Sequence, residues 1–89
     1  SSNEQPLKDL IEQVQYDTFS SAYDCIEEMG VEFLISKGSK KPMKIVKGLI
    51  EYFQQPHLEE YEKCAVLLEA AKSYRRDKKE LKKLKKTKE

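Results

Sequence analysis

Apolar residues first recur at Leu7, Leu10, Ile11 and Val14, the three- and four-residue spacing of one helix face, and Pro6 stands where a proline suits a first helical turn. The spacing predicts a helix from about residue 6. Between Tyr16 and Ser21 the rhythm slips. The next apolar set, Phe19, Ala22, Ile26 and Met29, is rotated from the first, and Asp17, Thr18, Ser20 and Ser21 are all competent caps. Either a bend or two separate helices is expected there. Gly30 then suits a left-handed C′ position, with Val31 behind it as the apolar contact of a Schellman ending.

Residues 31–35 carry the Val, Phe and Ile of a strand, yet no second strand-like run exists to pair with them, and a lone strand leaves its backbone groups unpaired. A short helix ending at Gly38 is preferred, with one helix running through Gly30 as the alternative. After the basic loop Lys37 to Lys41, Pro42 restarts a helix on which Met43, Val46, Leu49, Ile50 and Phe53 crowd one side, flanked by Ile45 and Tyr52. So wide an apolar arc belongs to a central helix packed by two or more neighbours. Gln55-Pro56 marks a break, and Pro56 is expected to open the last helix, where Glu59 and Glu60 complement the dipole. Its inner face is Leu58, Tyr61, Cys64, Ala65, Leu68 and Ala71. A short connection makes the pair, about 42–55 and 57–72, an antiparallel αα-hairpin. Tyr74, Leu81 and Leu84 extend a thin apolar line into the tail, a weak coiled-coil signal.

The pattern thus predicts an all-α bundle of three to four helices. Residues 1–5 are expected to be disordered, 6–73 to form the helical domain with 42–55 at its centre and 6–29 covering it, and 74–89 to form a basic C-terminal tail that is helical or frayed. Eighty-nine residues allow one small domain. Without the tail about seventy remain, a size at which a single core is marginal and self-association often supplies the missing burial. An apolar share of 38% beside a charged share of 37%, with three Gly and three Pro, favours long helices over a turn-rich sheet. No apolar run reaches membrane-spanning length and the start is polar, so an intracellular, cytoplasmic protein with no membrane partner is expected. The first residue is Ser1 rather than Met, so either processing or non-native residues at Ser1 and Ser2 are expected. Cys25 and Cys64 are too few for a disulfide framework and are read as reduced core residues.

Charge changes the picture most. Residues 72–89 carry ten Lys and Arg against Asp77, Glu80 and Glu89, a net of +7, while residues 1–32 carry eight Asp and Glu against Lys8, a net of −7. A total of +1 hides two poles, and the basic one attracts phosphate or acidic protein surface.

The segment Leu58 to Leu67 (LEEYEKCAVL) resembles the second helix of a UVR-type helical hairpin. Tyr61 takes the aromatic position, Cys64 and Ala65 the small pair and Leu67 the leucine. One extra residue separates Leu58 from Tyr61, and Leu68-Glu69 stands where Arg-Asp is usual. The resemblance covers ten residues and implies a protein-docking role, as UVR hairpins have in repair and stress proteins.

Catalytic chemistry finds little to work with. His57 is the lone histidine, and a dyad with Cys64 would span two helical turns, roughly 10 Å of rise. Cys25, Cys64 and His57 have no structural-zinc spacing and fall one short of a closed site. Neither an enzyme, a metal site nor a cofactor is expected. Gly38 to Pro42 sets a hydroxyl and two lysines at a helix N-terminus and is read as a solvated turn or an auxiliary phosphate contact, extended by Lys44 and Lys47. The tail is mostly Lys, with one aromatic and no Asn or Gln, so any nucleic-acid binding would be sequence-independent. With a pI near 7.7, the first expectation is a non-catalytic interaction or regulatory module. It would hold a protein partner with an acidic surface through Lys40, Lys41, Lys44, Arg75, Arg76, Lys79, Lys82 and Lys83. Nucleic-acid association is the alternative, and homo-oligomerisation a plausible addition.

Overall fold

The computed structural model describes residues 4–88, with side chains from 6 to 84. Its elements are α1 (Glu4–Met29), α2 (Glu32–Ser36), α3 (Pro42–Phe53) and α4 (Tyr61–Lys88). The all-α class is as expected, and no strand occurs among the described residues. Of the five N-terminal residues expected outside the fold, Ser1 to Asn3 lie outside the described residues and α1 already begins at Glu4.

α1 is one helix, not two. The caps at residues 17–21 go unused: Thr18 instead donates to the Val14 carbonyl one turn back, at 2.8 Å, as a helical threonine does. It ends at Gly30, whose N–H donates to the Ile26 carbonyl at 2.7 Å with φ +78°, the single-bond left-handed ending rather than the Schellman form. Val31 and Ile26, each 1% exposed, close the accompanying apolar contact. The preferred short helix over 31–35 is α2, and here the full Schellman pair forms: Ser39 N–H to Leu34 and Gly38 N–H to Ile35, both 3.0 Å, with Gly38 at φ +90°.

The last helix starts later than expected. Leu58 and Glu59 N–H groups both turn back onto the Gln55 carbonyl, Glu60 N–H reaches Phe53, and Glu59 is left-handed at φ +48°. Residues 54–60 are therefore a compact turn, and α4 begins at Tyr61. α3 and α4 still form the antiparallel hairpin, with the Cys64 thiol 3.4 Å from the Ile50 carbonyl at one end and Met43 facing Arg75 at the other.

α1 and α4 run side by side in the same direction. Tyr16 meets Glu60, Lys63 covers the Tyr23 ring at 5.3 Å, and Ile26 faces Val66 and Ala70 across a shared groove. The core is the triangle between them: Tyr23, Ile26, Val31, Leu34, Val46, Leu49, Tyr52, Phe53, Leu67 and Ala71. Phe53, fully buried, takes the edges of Tyr16, Tyr23 and Tyr52 at centroid distances of 6.3, 6.0 and 5.1 Å. Because the second half of α1 packs beside the first half of α4, the molecule measures 67 × 25 × 18 Å. The start of α1 projects at the turn end, and α4 beyond about Arg75 projects at the opposite one. Residues 6–29 were expected to cover the centre, but only 16 onward do so.

Candidate interaction surface

Two faces of α4 leave the core. Leu68, Ala71 and Arg75 follow one line toward α3, and Lys79 and Lys82 continue it at helical spacing. Between that line and α3 lies a groove of about 340 Å³ lined by Met43, Val46, Ile50, Leu68 and Ala71, with Lys44, Lys47 and Arg75 at its rim. Val46 and Ala71 are buried at its floor, whereas Leu68 is 47% exposed. The apolar arc of α3 is too wide for its own neighbours to cover, so its outer edge becomes the groove wall.

The structure brings together two regions that the sequence separates by about thirty residues. Lys44 from the loop side and Arg75 from the tail side face one groove. Lys40 and Lys41 are exposed where α3 begins, the end of the body from which α4 departs, and Lys79, Lys82 and Lys83 are exposed on the α4 arm. Arg76 stands apart. It lines the opposite groove, with Ile26, Glu27, Glu32 and Glu69, so its charge is set among carboxylates. Lys47 completes the rim. Its signal was its place at the edge of the apolar arc, and the apolar floor itself was legible only as generic core.

The loop at Gly38 to Pro42 offers less than its composition promises. Pro42 is buried, and no side chain caps the α3 N-terminus.

Elsewhere the polar chemistry is structural. Glu60 Oε1 accepts from the Tyr16 hydroxyl at 3.0 Å and from Lys63 Nζ at 2.8 Å. The hydrogen bond from Lys63 holds the Glu60 carboxyl below the usual carboxylate range, against the opposing pull of burial and with help from Tyr16. The same bond raises Lys63. Burial pushes the Cys64 thiol up, which favours an inert thiol over a nucleophile. Cys25 and Cys64 are both free and half-buried rather than fully in the core. His57 shares a cleft with Asp9, Glu12, Tyr16 and Tyr52, which neither cysteine lines. Among the described residues no group of three metal-ligating side chains is assembled, and no helix is long and apolar enough to cross a membrane.

No family model, no curated protein and no solved structure matches this chain.

Proposed function

We propose that this protein is a non-catalytic docking module that takes an acidic amphipathic helix of a protein partner into the α3–α4 groove, with the basic α4 arm extending the contact. The observation that carries the reading is an apolar floor bounded by Lys44, Lys47 and Arg75. An apolar groove between helices accepts the apolar stripe of a third helix, and a basic rim favours one whose flanks are acidic. The floor supplies most of the affinity, while the lysines steer the encounter and set its salt dependence. The likeness of residues 58–67 to a UVR-type hairpin points to the same docking role. Sequence-independent nucleic-acid association, the second reading, has the lysine line of the α4 arm in its favour but gives the apolar floor no part.

Fluorescence anisotropy with a labelled acidic amphipathic peptide, against the intact protein, tests this. Lys44→Glu combined with Arg75→Glu is expected to weaken binding by about tenfold or more at low salt, and a Lys82→Glu change by less. Unchanged binding by the double variant, or tighter binding of arbitrary oligonucleotides than of the peptide, overturns the reading.

A further inference from the structure

We infer that the helix filling the α3–α4 groove is the N-terminal arm of α1 from a second copy of this chain. The inference rests on the docking reading above and names its partner.

The arm is amphipathic the wrong way round. Leu7, Leu10, Ile11 and Val14 are 60%, 60%, 59% and 56% exposed. The opposite, polar side of the same turns faces the protein itself, where Asp9, Glu12 and Gln13 line a cleft with His57 and Leu58. A solvated helix end places these sides in the reverse order, so four large apolar side chains in one line call for a partner. At 100° per residue, the stripe lies about 150° around α1 from the Tyr16, Phe19, Tyr23 and Ile26 side that packs on the core. This rotation is why the apolar rhythm slips mid-helix without any break in the backbone.

Three features fit that stripe to the groove. Leu7, Leu10, Ile11 and Val14 repeat the interval of Met43, Val46 and Ile50, each set spanning two turns, about 10 Å. The arm is net acidic, residues 4–17 holding Glu4, Asp9, Glu12 and Asp17 against Lys8, and the receiving rim is basic, so the attraction is between the arm's overall charge and the rim, Asp9 and Glu12 lying on the side away from the stripe. Asp17 is exposed beside the stripe, on the flank that would meet a rim. The molecule's own arm cannot make the contact. It lies at the end of the body beside His57, whereas the groove opens toward Arg75 at the other end, and α1 is unbroken between. Stripe-to-stripe pairing of two arms is the competing arrangement, and it would survive charge reversal at Lys44 and Arg75, which lie on the groove and not on the arm.

The test uses complementary defects, both at exposed positions so that the fold persists, with circular dichroism as the check. Ile11→Asp spoils the arm and leaves the groove, and Lys44→Glu with Arg75→Glu spoils the groove and leaves the arm. Sedimentation velocity of the wild type at low salt is expected to show association at micromolar concentration. Each variant alone should lose it by about tenfold or more, and an equimolar mixture of the two should regain it, because one intact arm then meets one intact groove. A monomeric wild type, variants that associate like the wild type, or a mixture that stays monomeric overturns the inference. The labelled peptide separates the two levels: a monomeric wild type that binds it keeps the docking reading and loses the second copy, and one that does not bind it loses both.

Discussion

Ile11 and Ile26 are the same residue on the same unbroken helix, yet the first is 59% exposed and the second 1%. Nothing in their local backbone distinguishes them. Around Ile26 stand Val31, Val66 and Ala70 from the rest of the chain, while Ile11 lies on the side of α1 turned away from the cleft that Asp9, Glu12 and Tyr52 line. The comparison teaches that α1 is two devices in series: a core element from Tyr16 onward, and ahead of it a projecting arm whose apolar side has no use within the molecule. α4 is built alike in reverse, with Leu67 buried in the body and Leu81 and Leu84 exposed on the arm.

The comparison breaks most sharply in stability. Ile26→Ala is expected to cost about 2–5 kcal/mol, as cavities in closed cores do, and Ile11→Ala to stay within about 0.5 kcal/mol, measured by urea unfolding of the intact chain at high salt and below the micromolar range, where the chain is monomeric. Similar losses at both positions would show the arm to be folded against the body. At the far end of the core half, Gly30→Ala should cost about 1 kcal/mol. The added Cβ meets only the mobile tip of Glu32, at 2.7 Å, so the penalty is that of a left-handed backbone at φ +78°. The smallest effect sits at the junction between arm and core. Glu60 has its folded value depressed, so its contribution is present above the unfolded value of about 4.3 and is lost as pH falls through the folded one. Lys63 is raised, so its share is lost only as the pH climbs through its raised value in the alkaline range. Glu60→Gln should therefore flatten the acid side of the stability profile by lowering stability at neutral pH and leaving it unchanged at low pH, and the loss is small since the pair is about a quarter exposed and correspondingly screened.

Much of the fold was legible along the chain. Proline and glycine punctuation located α2 and α3, because a fixed φ or a positive φ is a property of the residue itself: Pro42 opens α3, and Gly30 and Gly38 close the helices before them. The same punctuation misled at Pro56, where the turn runs on to Glu60 because backbone bonds to Gln55 and Phe53 hold it closed. The slip at residues 16–21 was read correctly as a change of apolar face, and of its two backbone readings the two-helix one is overturned by the continuous α1. Rotation of a stripe and a break in a helix leave the same trace in one dimension. Of the candidate contact residues, Lys44 and Arg75 converge on one groove, and Arg76 is turned away because a single residue step carries it about 100° around α4.

By itself the sequence determined the helices, their amphipathic faces, the central place of α3 and the two charge poles, since each follows from local spacing and from residues near one another in the chain. Only the tertiary structure decided that the second half of α1 packs beside the first half of α4, so that one apolar stripe closes the core while its neighbour on the same helix stays in water. It also decided that cations from two distant segments would rim a single apolar floor. The reason is physical: periodicity says which side of a helix is oily, but whether that side is covered depends on which side the neighbouring helices pack against and how far they extend, and both are fixed by packing around Phe53.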